Sequence, residues 1–504
     1  MTVSLLLEMA VSGHPDRIAL VEGERTITYA QLAAQASAGA DLLAETGRRS
    51  VAYLGVGGAD FVIGLFAAAA AGLPFAPINY RLSNQQVCAL IARLDDPVIL
   101  ADHDYLDVAR QVGTDVVEVT ALRDGVDAGH SQVAQQTASP TAVVLYTSGT
   151  TSAPKAVSLS HENLTSYVMQ TVEFGHAADD EGALICVPPY HVAGIGTILT
   201  NVYAGRRMVY LAAFDPAGWL DIAEREQVTS AMVVPTMLDS IVKELGDRQA
   251  SVPSLRSLAY GGARMPRPIL ESALSAFPDV GFVNAYGLTE TSSTIAVLGP
   301  DDHRRALESD DPEIAARLSS VGQPVPGIEI KVTHEDGSIV PDGEVGELWV
   351  RGPQVSGHYL GIGSVLDPDG WFPTKDRASV DLHGYLYVHG RSDDTIIRGG
   401  ENIAPAEIED VLVEHPDVRT AIVIGVPDDR WGEQIVAVVV PQTGAIPDAE
   451  SLKRFVRSRL RGSRTPQHVF VRAGLPATAT GKFQRGLILA DVTQNELITQ
   501  ESEC

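Results

Sequence analysis

The chain has 504 residues, 45% of them hydrophobic, which is too long for one core and calls for two or more domains. Its 64 acidic and 37 basic side chains give a net charge of −27. Nucleic acid and anionic membrane are therefore repelled over most of the surface, and any phosphate must be held by local donors, a few fixed cations and a metal. Three cysteines, Cys88, Cys186 and Cys504, show no paired spacing, so neither a disulfide framework nor a zinc site is expected and a cytoplasmic setting fits.

The N-terminus lacks a basic leader and meets Glu8 early, so no signal peptide is expected. Residues 17–22 and 26–28 read as a short hairpin around Gly23. Thr28 and Gln31 have capping-box spacing and open an alanine-rich helix to about Leu43. Residues 51–55 read as a buried strand, and a helix begins at about Ala59. The uncharged run 61–78 approaches the length of a membrane span. It is alanine-rich and interrupted by Gly72, Pro74 and Pro77, so it reads as a buried helix followed by a strand or turn. Strands at 75–78 and 98–101 flank a helix capped by Ser83 and Gln86. Strands alternating with helices argue for a parallel sheet covered on both faces. Gly55-Val56-Gly57-Gly58 follows a strand but does not meet the spacing of a dinucleotide fingerprint.

Residues 141–145 form an apolar strand that runs into Tyr146-Thr147-Ser148-Gly149-Thr150-Thr151-Ser152-Ala153-Pro154-Lys155. Hydroxyls, free backbone N–H groups and a lysine suit phosphate oxygens, and glycine permits close approach of an anion. The same composition also makes an ordinary polar turn, and the stretch alone does not choose between the two. A Walker P-loop is disfavoured, because Pro154 and Ala156 flank the lysine.

Downstream, a helix begins at His161, and a strand at 184–188 ends in Pro189-Tyr190-His191. An apolar, glycine-containing run follows at 192–200. Strands at 208–211 and 231–234 come next. Residues 258–260 then run into Gly261-Gly262-Ala263, and 281–284 run into Tyr286-Gly287-Leu288-Thr289-Glu290. Loops at the carboxyl ends of such strands converge on ligand sites in open α/β sheets. From about residue 321 short alternating runs indicate an antiparallel β-rich subdomain. Beyond Gly399-Gly400, a helix (405–414), two strands (420–425 and 434–440) and a basic helix (about 449–461) suggest a compact α+β module. The expected fold is α/β. A large N-terminal domain (1–391) carries parallel-type sheets and a β-rich subdomain at about 321–390. A small C-terminal domain spans 392–504.

Six motifs now stand in order: the 146–155 stretch, Tyr286-Gly287-Leu288-Thr289-Glu290, Gly370-Trp371-Phe372 with Thr374-Lys375-Asp376, Gly390-Arg391-Ser392-Asp393, Gly399-Gly400-Glu401-Asn402 and Gly481-Lys482. They resemble the signature motifs of the adenylate-forming superfamily, which comprises acyl- and aryl-CoA synthetases, peptide-synthetase adenylation domains and luciferases. The resemblance covers nearly the whole chain and is strongest to bacterial acyl- or aryl-CoA synthetases. It implies that a carboxylate attacks the α-phosphate of ATP to give an acyl-adenylate and pyrophosphate. A mobile C-terminal domain then rotates, and the thiol of coenzyme A displaces AMP. AMP is a far better leaving group than oxide, so one hard step becomes two easier ones.

By the same resemblance, Thr147, Ser148, Gly149, Thr150, Thr151 and Lys155 would hold the β- and γ-phosphates. Glu290 would ligate Mg²⁺ and Thr289 would touch the α-phosphate. Tyr286 would stack on adenine, with Gly262 and Ala263 on the ring's other side. Asp376 and Arg391 would contact the ribose, Asp393 would be the hinge, and Lys482 would drive adenylation. His191 would gate the thiol tunnel, and Gly400, Trp431 and Arg464 would contact coenzyme A. Each has a plainer reading: a core tyrosine, a structural histidine, a solvated lysine or a salt-bridged loop. The basic helix could attract coenzyme phosphates or be a solvated face. Ser152, Ala156 and Lys375 stand where the family usually has glycine; altered loop mobility is expected of the first two. Lys375 would either pair with Asp376 or point to solvent.

The expected partners are a small-molecule carboxylic acid, ATP and coenzyme A, with self-association into a homodimer left open. The acyl pocket is expected near 191–196, 233–238, 261–263 and 285–288, where small and apolar side chains favour a fatty or aromatic acid. Ala285 counts against malonate, and Arg264 could reach a polar tail. Two other functions stay open: loading of a carrier protein in trans, and nucleotide binding by a catalytically impaired homologue.

Overall fold

The computed structural model describes residues 1–124, 139–147, 154–398, 401–428, 430–478 and 482–502. Among these the strands form sheets of nine, eight, four and five strands. The inner strands of the nine-stranded sheet, including Gly182–Ile185, Ser230–Val233, Ser257–Gly261 and Gly281–Leu288, run parallel. The eight-stranded sheet has a parallel half, from Val116–Glu118 to Thr141–Thr147, continued by antiparallel strands from Lys155–Ser160 outward.

One core cluster takes side chains from both large sheets and from the helices between them. Helix Ala59–Ala70 is buried on every side from Ala59 to Ala69. Its all-round apolar character thus reflects a place inside the protein. Its one charge, Asp60, accepts hydrogen bonds from Arg25 (2.8 Å) and Arg123, and these outweigh burial and hold its carboxyl below the usual range. No helix among the described residues is long and apolar enough to cross a membrane.

The capping boxes at Thr28–Gln31 and Ser83–Gln86 are formed, each with reciprocal backbone bonds. One expectation shifts. The strand expected at 184–188 ends at Ile185, because Pro188 and Pro189 cannot continue the ladder. The run after His191 is helix Val192–Ala204, closed by Gly205 at φ +74°. Helix Ser4–Gly13, not foreseen, adds Leu6, Leu7 and Ala10 to the core.

The β-rich part is a four-stranded antiparallel sheet whose last strands are Phe372–Val380 and Leu386–Arg391. A single 3₁₀ turn, Ser392–Asp394, leads to Ile396–Arg398, which belongs to the five-stranded C-terminal sheet. That smaller domain has its own core around Val423, Ala437 and Leu452.

Candidate active site

The carboxyl ends of the parallel strands build the floor of the site. A side chain at Gly261 would come within 2.3 Å of the Ala285 carbonyl oxygen, so these strand ends close together only with glycine there. A side chain at Gly287 would sit 1.7 Å from the Ser293 carbonyl oxygen, which explains the Tyr-Gly pairing at the bulge of that hairpin. The turn carrying Thr289 and Glu290 is fixed from within. Thr291 Oγ1 accepts from the Leu288 amide (3.0 Å) and donates to the Ser293 carbonyl (2.9 Å). Fully buried Gln354 donates to the carbonyls of Thr291 (3.0 Å) and Thr294 (2.8 Å).

Glu290 Oε1 accepts from the Tyr359 hydroxyl at 2.8 Å, and Lys155 Nζ lies 5.4 Å from the centre of the same ring. Tyr359 therefore links Glu290 and Lys155, two residues expected to serve the phosphates, and is a residue that sequence reasoning missed. Lys155 opens strand Lys155–Ser160 in register with Thr147. The phosphate stretch thus joins two antiparallel strands and is no strand-to-helix P-loop. Ser148, Gly149, Thr150, Thr151 and Ser152 lie outside the described residues. Ala156 is a core residue, 1% exposed, so its methyl group fills space under the sheet.

Asp376, expected to contact the ribose, is the centre of a second group. It is 5% exposed, and its Oδ2 accepts from the Tyr286 hydroxyl at 2.5 Å. Arg391, its partner across the sheet, places Nη1 3.6 Å from Oδ1. Burial pushes the Asp376 carboxyl up; the charge of Arg391, the Tyr286 hydrogen bond and the charge of Lys482 oppose it. Burial likewise drives the Tyr286 hydroxyl well above its usual range, so it is a hydrogen-bond donor at neutral pH. The charge of Lys482, in the C-terminal part of the chain, is thus felt at Asp376 of the large domain. Lys482 sits at a hairpin tip, its amide donating to Thr478 Oγ1 (3.1 Å) beneath a bridge between Ala477 and Phe483. Gly262, at φ +80°, and Ala263 follow the adjacent strand.

His191 precedes helix Val192–Ala204, and its Nε2 is buried without a partner among the described residues. Burial, aided by the charge of Arg81, lowers its pKa to about 4, so the imidazole is neutral at physiological pH. Tyr190 and Tyr80 continue the ring contacts, at 4.8 and 5.6 Å between centroids. A cavity of about 300 Å³ lies beside this group, lined by Phe61, Arg81, Cys186, Pro189, Phe214 and Met237 among others. It takes Gly194, Thr236 and Met237 from the stretches expected to form the acyl pocket and nothing from 261–263 or 285–288. Arg81 went unnoticed in the sequence.

The residues expected to contact coenzyme A gather elsewhere, on the C-terminal sheet. Trp431 is 41% exposed, with the guanidinium groups of Arg398 and Arg430 over its ring at 4.8 and 5.1 Å. Arg464 is engaged by Glu401 and, at 3.4 Å, by Glu407. Gly400 lies outside the described residues. On the basic helix, Lys453, Arg454 and Arg459 are ion-paired to Glu450, Asp448 and Glu414. Lys375 takes neither expected course: it pairs with Asp393, at 3.5 Å.

Mg²⁺ fits as a guest of the nucleotide. Glu290 Oε2 has no hydrogen bond or ion pair among the described residues, and those residues contain no cluster of three or more His, Cys, Asp or Glu that could hold a metal alone. One carboxylate plus substrate phosphates is the usual donor set of that ion.

The AMP-binding enzyme family matches residues 7–360, and the AMP-binding enzyme C-terminal domain matches residues 407–482. Feruloyl-CoA synthase of Amycolatopsis sp is 35% identical over 491 residues, spanning 94% of this chain and 95% of its own. A fatty acid–acyl-carrier-protein ligase of Streptomyces coeruleorubidus is 31% identical, spanning 92% of this chain and 91% of its own. The o-succinylbenzoate CoA synthetase of Bacillus subtilis, solved with its acyl-adenylate intermediate, superposes with a TM-score of 0.83 at 28% identity, covering 96% of this chain and 97% of that one. The chain belongs to the AMP-binding enzyme family, and it is an AMP-forming acid–thiol ligase that uses ATP, Mg²⁺ and coenzyme A.

Proposed function

We propose that the acid is an apolar aromatic carboxylate and that the structure represents the adenylating arrangement of the enzyme. The second half is supported by the Arg264–Asp410 pair, which joins the large domain to the small one, together with the charge of Lys482 felt at buried Asp376. The aromatic assignment is supported by the names of the feruloyl and o-succinylbenzoate relatives and by the apolar residues flanking His191.

In the first step the carboxylate oxygen attacks the α-phosphorus and pyrophosphate leaves. Lys482 stabilises the charge that develops between carboxylate and α-phosphate, and Thr289 donates to the same phosphate. Asp376 and Arg391 fix the ribose, and the Tyr286 ring, tethered through its hydroxyl, sets the plane of the adenine. Thr147 and Lys155, with the loop between them, hold the outer phosphates. Glu290 holds Mg²⁺, which when bound neutralises phosphate charge. In the second step the C-terminal domain turns about Asp393. Lys482 withdraws, and the thiol of coenzyme A passes neutral His191 and attacks the acyl carbonyl carbon, expelling AMP. Trp431, Arg464 and Gly400 then serve the coenzyme. We place the division between domains at 391/392 and the enzyme in the cytoplasm, where ATP and coenzyme A are supplied.

The test is pyrophosphate release across aromatic and aliphatic acids, with and without coenzyme A. Aromatic acids should give both pyrophosphate and thioester. Turnover confined to aliphatic acids would refute the aromatic assignment. Adenylate without thioester would transfer the second step to a carrier protein, a reading the Streptomyces relative makes specific. No pyrophosphate with any acid would mark an impaired homologue.

A further inference from the structure

We infer that the Lys375–Asp393 ion pair is a latch: Lys375 is a positioning residue that holds the hinge in the adenylating arrangement and so sets the balance between the two half-reactions. The inference rests on the two-step reading above and deepens it.

Three observations lead there. The first is backbone conformation. Lys375 lies inside strand Phe372–Val380 at φ +63°, the left-handed region that a lysine has no local hydrogen bond to ease. Such a residue persists only where its surroundings dictate the conformation, and these residues gather at switches. The second is direction. Asp376, next in the strand, turns inward to Tyr286 and Arg391, whereas Lys375 is exposed and sends its ammonium outward to Asp393 Oδ2, at 3.5 Å. The lysine therefore acts on the hinge and leaves the ribose acceptor to its own partners.

The third is how the hinge turn is tethered. Ser392–Asp394 stands between Leu386–Arg391 of the four-stranded sheet and Ile396–Arg398 of the C-terminal sheet. Its two carboxylates face opposite bodies. Asp393 is held by Lys375 of the large domain, and Asp394 by Arg485 of the small one, at 3.4 Å. Arg485 is itself anchored to Glu409 (2.7 Å) and to the Val423 carbonyl. A rotation about the N–Cα bond of Asp393 carries its side chain along with the small domain, and must then release Asp393 from Lys375 or drag the large-domain strand with it. A second pair, Arg264 with Asp410, spans the same junction. Both pairs are closed in the arrangement in which Asp376 feels the charge of Lys482. Lys375 and Asp393 are each about half exposed, so the pair adds little to global stability. Its leverage is on the partition between two arrangements of similar energy.

The experiment measures two rates separately: ATP–pyrophosphate exchange with an accepted acid, and thioester formation from preformed acyl-adenylate and coenzyme A. Lys375→Gln should lower the ratio of exchange to thioester formation by about two- to fivefold, the range of an exposed ion pair. Lys375→Arg should keep the wild-type ratio. Asp393→Asn should match Lys375→Gln, and the double variant should go no further than either single one. Raising the salt concentration should narrow the difference between wild type and Lys375→Gln. Lys375→Gly removes the backbone strain along with the charge; it guards against a folding defect and should show the same lowered ratio. Equal changes in both half-reactions, an unchanged ratio, or additive single variants would overturn the latch. A wild-type chain that forms no adenylate with any acid would overturn the two-step reading itself, and the latch with it.

Discussion

The two charged clusters on either side of the hinge answer their charges differently. Around Asp376 the carboxylate is buried and meets one phenol, one guanidinium at 3.6 Å and the field of a lysine from the other domain. Around Trp431 the charges are already matched by acidic neighbours: Arg464 is shared between Glu401 and Glu407, while Arg398 and Arg430 lie over the indole. The first cluster has its groups fixed by strands, the preorganisation that the proposed ribose and phosphate contacts require. The second is a surface whose cations must exchange partners before they can hold an anion. The contrast teaches that, on the proposed reading, one arrangement of the chain is poised for one half-reaction and unprepared for the next.

Lys482→Ala tests the contrast most severely. Pyrophosphate release should fall by about a hundred- to a thousandfold, the scale of losing one preorganised charge at a transition state. Thioester formation from added acyl-adenylate should stay near wild type. Equal loss in both half-reactions would place Lys482 in the shared machinery and erase the distinction drawn above. Asp376→Asn comes next. Hydrogen bonds to a charged group contribute about 1.5–3 kcal/mol. The KM for ATP should therefore rise by about ten- to a hundredfold, with the KM for coenzyme A little changed. Tyr359→Phe is milder: it frees Glu290 Oε1 from its 2.8 Å bond, and about tenfold more Mg²⁺ should be needed for half-maximal pyrophosphate release.

What the sequence made legible follows from what is local in the chain. The capping boxes at Thr28 and Ser83, the strand-end glycines and the six motifs are each written in a few consecutive residues, and the structure forms both capping boxes and brings Gly261 to the end of its strand. What stayed hidden depends on distant partners. Tyr359 lies 69 residues from Glu290 and Gln354 lies 63 from Thr291, and neither sits in a pattern that marks it. Lys375 was conspicuous as a replacement for glycine, yet its partner Asp393 could not be read from its neighbours. The apolar run after His191 is equally compatible with a buried strand and a buried helix, because periodicity carries no information where every face is covered. The coenzyme cluster was located by motif alone, and nothing in the motif told that Arg464 would be neutralised by Glu401 and Glu407.

Trp431→Ala gives the smallest expected effect and probes the unprepared side. In the present arrangement the indole carries Arg398 and Arg430 and is 41% exposed, so its loss removes little buried area and should leave pyrophosphate release unchanged. If the ring later stacks on the coenzyme's adenine, its removal costs one stacking contact, about 1–3 kcal/mol by analogy with bases on aromatic side chains. Part of that is recovered when the two guanidinium groups, released from the ring, turn to the coenzyme's phosphates. The net expectation is a rise of about three- to tenfold in the KM for coenzyme A, read from initial rates of thioester formation at saturating ATP and acid. A rise in the KM for ATP instead would mean that Trp431 serves the nucleotide that binds first, and the two clusters would then be one site.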